Sequence, residues 1–210
     1  MSILNKLASS LDRRDEVPNQ ELAKQIAAKG DKKAVKELVE NLSNKNKDIQ
    51  SDCIKVLYEI GAIDPSLIAS YYKDFLALLD SKNNRLQWGA MTALSSITLE
   101  NPKAIAASLP KIMEASDKGS VITKDHAVNI LIRLGSLKAY ADSAFALLNE
   151  QLLKSPVNQL PMYAENAIGI INDKNKKQFI QTLTARLPDI DKDSKRKRVE
   201  KVIKKLSDRK

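Results

Sequence analysis

Apolar positions return along this chain every 37 residues. Leu57, Leu94, Leu131 and Ile168 form one row, Ile60, Ile97, Leu134 and Ile171 a second, and Cys53, Ala90, Ala127 and Ala164 a third. A fifth copy, two residues shorter, runs through Val199, Ile203 and Leu206. Three rows kept in register over four or five copies mark one supersecondary unit repeated along the chain. Ile49, Cys53, Val56, Leu57 and Ile60 follow helical spacing, so one stripe of this segment is expected to be buried. Leu86, Ala90, Ala93, Leu94 and Ile97 repeat it, as do Ala127, Ile130, Leu131 and Leu134, and then Leu160, Ala164, Ala167, Ile168 and Ile171. A second stripe precedes each of these: Val35, Leu38, Val39 and Leu42, then Tyr72, Phe75, Leu76 and Leu79, then Leu109, Ile112 and Met113. It is less regular from Ala144 to Leu153 and returns at Phe179, Ile180, Leu183 and Leu187. Each repeat therefore reads as a pair of helices.

The polar residues between the stripes agree with this parsing. Loops near Ser43–Lys47, Ser81–Asn84, Asp117–Ser120 and Ser155–Asn158 separate the two helices within repeats. Asp64–Pro65 and Asn101–Pro102 are 37 residues apart and offer a capping side chain followed by proline at the first helical position. Gly61, Gly135 and Asn172 fall at equivalent places and are expected to end the second helices in a left-handed conformation, with Thr98 as the exception. Pro110 lies inside a first helix and is expected to bend it. Residues 1–30 lie outside the register. Ile3, Leu4, Leu7 and Leu11 suggest one short helix, and Leu22, Ile26 and Ala27 another, ended by Gly30; together they are expected to cap the first full repeat.

On these residues the chain resembles the HEAT and armadillo-like helical-repeat families over about residues 31–207. The resemblance rests on the paired helices, the small residue at Cys53, Ala90, Ala127 and Ala164, the Leu and Ile rows, and Pro110. It implies an all-α fold, a right-handed α-α superhelix of about five helix pairs plus an N-terminal helical cap. The domain reading is a cap at 1–30 and one elongated repeat array at 31–210. Such arrays bury each repeat on its neighbours and bind partners along an extended surface.

Composition adds limits. Aromatic residues make up 4% of the chain, which favours packing through small residues. The single cysteine, Cys53, allows no internal disulfide and suits a reducing compartment. The longest apolar stretches are broken by polar residues, and Asn5, Lys6, Ser9 and Ser10 interrupt any secretory core at the N-terminus, so a cytoplasmic location is expected. The net charge of +9 is concentrated. Residues 174–210 hold 14 Lys/Arg against 5 Asp/Glu, whereas the preceding residues hold 21 of each.

The resemblance further implies that the second helices line the concave face. Positions pointing away from the core then fall in rows: Lys55, Thr92, Asn129, Asn166 and Lys201; Asp52, Gly89, His126, Tyr163 and Arg198; Ser51, Trp88, Asp125, Met162 and Lys197; Tyr58, Ser95, Ile132, Gly169 and Lys204. From this surface Tyr58, Arg85, Trp88, His126, Asn129, Arg133, Tyr163 and Asn166 are the candidate partner-binding residues, because Trp, Tyr and Arg most often anchor interfaces. Lys192, Lys195, Arg196, Lys197, Arg198, Lys201, Lys204 and Lys205 form a basic patch on the terminal helix, read either as a solubilising cap or as a site for nucleic acid or an acidic partner.

No catalytic, metal or cofactor residues are assigned. His126 is the only histidine, and neighbouring Asp125 points about 100° away around the helix. Cys53 occupies the packing row. The expectation is a non-enzymatic scaffold or adaptor that holds a protein or peptide in its groove. The alternative is a nucleic-acid-binding protein resembling the HEAT-like DNA-alkylation-repair glycosylases, with Trp88 and Asp125 sharing one row. The neutral central repeats oppose that alternative.

Overall fold

The computed structural model describes residues 2–209. It contains twelve α-helices joined by short 3-10 turns and no strand among the described residues. The chain divides into two compact units at Ala127/Val128.

In the first unit, 3-10 turns at Ile3–Lys6 and Ser9–Leu11 precede α1 (Val17–Lys29) and α2 (Lys32–Glu40). The remaining helices are α3 (Lys47–Ile63), α4 (Tyr72–Leu78), α5 (Asn84–Ser96), α6 (Pro102–Ala107) and α7 (Leu109–Lys118). Helix α8 (Val121–Gly135) contains the division between the units. The second unit continues with α9 (Ala141–Lys154), α10 (Leu160–Ala167), α11 (Lys176–Arg186) and α12 (Asp193–Ser207).

The repeat rows form the core. Cys53, Ala90, Ala127 and Ala164 are fully buried, as are Leu57, Leu94 and Leu131. Ile60, Ile97, Leu134 and Ile171 are buried too. Ile168 departs from its row: α10 ends at Ala167, and Ile168 opens a 3-10 turn and is half-buried. Residues 3–11 form 3-10 turns rather than the expected helix, with Leu7 buried and Leu11 exposed.

Several boundary expectations are corrected. Gly61 lies inside α3 and Gly135 is the last residue of α8. Neither adopts a left-handed conformation, and nor does Asn172; among the described residues only Asp12 and Gly30 have positive φ. The two glycines are packing positions. A Cβ on Gly135 would meet Ile170 Cδ1 at 2.7 Å, and one on Gly61 would run into Ser96 Oγ and Ile68 Cδ1. Pro110 does more than bend its helix. The first helix of the third repeat stops at Ala107 and restarts at Leu109, with Pro110 in the opening turn of α7, where a missing N–H costs nothing.

A polar row, unrecognised in the sequence, ties the two helices of each repeat together. Gln50 Nε2 donates to the Asn44 carbonyl at 2.6 Å, Gln87 Nε2 to Leu79 at 2.9 Å and Lys124 Nζ to Ser116 at 2.6 Å. These donors are 37 residues apart, and each donates to a carbonyl near the end of a first helix, where the helix ladder runs out of N–H donors. Arg196, at the equivalent position of the shortened fifth copy, donates to the Ile190 carbonyl at 2.7 Å and 3.1 Å. The fourth copy has Pro161 there, which cannot donate. At that repeat Arg186 reaches back from α11 to the carbonyls of Leu152, Leu153 and Ser155 at 2.6, 2.7 and 3.0 Å.

Candidate functional site

The site is built on the neighbouring helices α3 and α5. Asn46 caps α3 by accepting from Asp48 N, and Asn83, 37 residues on, caps α5 by accepting from Arg85 N. Gly89 lets the two helices approach closely: a Cβ there would lie 2.7 Å from Ile54 Cγ1. The residue before it, Trp88, is thereby placed on Tyr58 of α3, with ring centroids 5.5 Å apart and planes tilted by 50°. Tilted aromatic pairs at this separation are favourable beyond the area that they bury. Tyr58 is buried, whereas Trp88 is half-buried and keeps part of its indole at the surface.

Lys55, one turn before Tyr58, is buried to 9% exposure. Its Nζ pairs with Glu16 Oε2 and Glu59 Oε1, each at 2.7 Å, and lies 4.9 Å from the Tyr58 ring centroid. Burial alone would lower the Lys55 pKa, but the hydrogen bonds with Glu16, Glu59 and Tyr58 outweigh it and hold the ammonium above its ordinary value. Burial raises the Tyr58 pKa, partly offset by Lys55. Lysine and tyrosine therefore both stay protonated at neutral pH.

Asp52 turns toward the N-terminal segment. Its carboxylate accepts from Ser9 N at 2.8 Å and from Asn19 Nδ2 at 2.7 Å, and Asn19 Oδ1 accepts from Ala8 N at 3.0 Å. This network holds residues 8–19 against α3. A recess of about 150 Å³ results, lined by Arg14, Glu16, Asp52, Lys55, Tyr58, Arg85 and Trp88 among others. Its two carboxylates, Glu16 and Asp52, already have donors.

The sequence rows are only partly solvent-facing. The row of Asp52, Gly89 and Arg198 points at the preceding layer: Asp52 reaches Asn19, Gly89 packs on Ile54, and Arg198 pairs with Glu165 of α10 at 2.6 and 2.8 Å. Tyr163 occupies the same register and is 2% exposed. It belongs to the core and not to a partner surface, because the row faces between helices. His126 and Asn129 are half-buried on α8, Arg133 is exposed there, and Asn166 is exposed on α10. The structure brings together Tyr58, Arg85 and Trp88, and joins to them Arg14, Glu16 and Lys55. The N-terminal contributors lie outside the 37-residue register, so periodicity could not reveal them.

The basic patch is similarly divided. Arg196 is committed to the Ile190 carbonyl, and Arg198 to Glu165, whose carboxyl is held below the usual range by that guanidinium. Lys197 pairs with Asp193 at 2.8 Å, and Lys195 bonds Asn158 Oδ1. Lys192, Lys201, Lys204 and Lys205 are exposed. Cys53 is fully buried, and burial, reinforced by Asp52 and Glu37, pushes its thiol pKa up to about 12. Among the described residues no cluster of His, Cys, Asp and Glu is arranged to hold a metal ion, and no helix is long and apolar enough to cross a membrane.

No protein-family model and no curated protein sequence matches the chain. Solved structures do. A designed armadillo repeat protein in complex with the peptide (KR)4 is 15% identical, over 89% of this chain and 86% of that chain, with a TM-score of 0.67. Computationally designed armadillo repeat proteins for modular peptide recognition match at 15% identity over the same shares, with a TM-score of 0.64. An engineered protein from a structural-genomics consortium is 20% identical, over 99% of this chain and 97% of that chain, with a TM-score of 0.61. At these identities the likeness establishes the fold, an all-α helical-repeat architecture of the armadillo/HEAT-like kind.

Proposed function

We propose that this chain is a non-enzymatic scaffold that binds a peptide or an extended segment of a protein on the surface of its second helices, with Trp88 as the anchor. The observation that carries the reading is the half-buried indole held on the buried Tyr58 ring beside a polar recess. Large rings fixed in advance lose little entropy on binding and dominate interface energies. Two of the similar structures are described as peptide-bound or made for peptide recognition, which supports peptide binding by a scaffold of this fold.

In this reading residues 1–30 are a cap that also contributes to the site, and the repeat array follows. A reducing, cytoplasmic setting suits a chain whose one thiol is buried. The nucleic-acid reading loses support, because four of the eight basic-patch residues are engaged within the chain.

Selection from a displayed random-peptide library tests this. Selected peptides should bind saturably, and Trp88→Ala should weaken them by about tenfold or more. Unchanged affinity in a folded Trp88→Ala variant would place binding elsewhere.

A further inference from the structure

We infer that the recess beside Trp88 takes an anionic side chain of a peptide, a carboxylate carried next to an apolar or aromatic residue. This rests on the peptide-binding reading and specifies its chemistry.

Most polar groups lining the recess are already satisfied within the chain. Asp52 accepts from Ser9 N and Asn19 Nδ2. Glu16 is paired with Lys55, and Lys55 is shared with Glu59. What remains are the guanidiniums of Arg14, from the N-terminal segment, and Arg85, from the first turn of α5. Both are exposed, and neither side chain has a hydrogen-bond or ion-pair partner among the described residues. They line the same recess as the exposed part of the Trp88 ring.

A ligand gains most by matching groups that are unmatched. A guanidinium offers a planar fork that fits a carboxylate through two parallel hydrogen bonds. A basic ligand would find Asp52 engaged through both oxygens, Glu16 tied to Lys55 through Oε2, and two cations facing it, which disfavours it. The recess, about 150 Å³, suits a single side chain rather than a folded domain. An adjacent aromatic or aliphatic residue would then lie on the indole.

The terminal helix also attracts acidic ligands through its exposed lysines, so the readout must be local. Trp88 is the only tryptophan of the chain, and its fluorescence reports this recess alone. The probes are two short synthetic peptides with a central phenylalanine pair, one flanked by glutamates and one by lysines. Addition of the glutamate peptide to the full chain should shift Trp88 emission saturably. Arg85→Ala and Arg14→Ala should each weaken that binding by about tenfold, with the thermal transition unchanged. A Lys201→Glu, Lys204→Glu, Lys205→Glu triple variant should leave the Trp88 response intact. A response to the lysine peptide in place of the glutamate peptide overturns the inference but leaves the peptide-binding reading standing. So does an arginine-independent response. No response of Trp88 to these peptides or to library-selected peptides of any charge overturns both.

Discussion

Gly89 of α5 lies against Ile54 of α3 so closely that an added Cβ would sit 2.7 Å from Ile54 Cγ1. The absence of a side chain at one position thus sets where its neighbour Trp88 stands, and with it one wall of the recess.

Gly89→Leu should destabilise the chain by about 1–3 kcal/mol through overpacking, more than any gain in helix propensity returns. Adding Ile54→Ala should recover part of that loss, since the two sites share one volume. Urea unfolding of the single and double variants measures the coupling. Strictly additive losses would show that the two helices are not held by this contact.

Cys53 is expected to resist thiol reagents in the native state, because the thiolate is the reactive form and burial keeps its pKa near 12. Labelling at mildly alkaline pH should proceed only through opening of the fold and should accelerate with added urea. Rapid labelling without denaturant would contradict the burial of this row.

Alkaline pH should destabilise the fold. Cys53, Lys55 and Tyr58 all have pKa values raised above their ordinary 9.0, 10.5 and 10.0. The native state therefore keeps protons that the unfolded chain has already released. Their stabilisation is full below about pH 9 and is lost as pH rises through the native values. Cys53→Ala should flatten the earlier part of that fall, and Tyr58→Phe the part above about pH 10. Urea midpoints across this range decide it; a midpoint independent of pH would contradict the buried pairing.

Arg186 should be the most sensitive charged residue of the second unit. It is 11% exposed, donates to three carbonyls near the end of α9 and pairs with Asp189 at 2.7 Å. Arg186→Ala removes the donor of the Leu153 and Ser155 carbonyls and leaves Leu152 only Ser155 Oγ, a loss of about 2–3 kcal/mol for charged hydrogen bonds. Arg186→Lys should restore little, because an ammonium lacks the fork that reaches several acceptors at once. Full rescue by lysine would show that charge alone matters.

What the sequence revealed and what it hid follow from the same physics. The apolar rows were legible because burial demands the same residue class at every copy, as at Leu57, Leu94 and Leu131. The donor row was not, because glutamine, lysine and arginine do one job at Gln50, Gln87, Lys124 and Arg196 without resembling one another in hydropathy. Tyr163 was misplaced because helical spacing gives the angle around a helix but not which neighbour lies at that angle. Tyr58, Arg85 and Trp88 were among eight candidates read as outward-facing, yet Tyr58 is buried under the indole, and Arg14 and Glu16 reach the recess only through the docking of Asn19 on Asp52.

In the proposed function, binding is anchored at Trp88. The most direct measurement is the dissociation constant of a library-selected peptide for the wild type and for Trp88→Ala, with both proteins shown to unfold at the same urea concentration. A loss of about tenfold or more in the variant is the expected result. Equal dissociation constants would contradict the account.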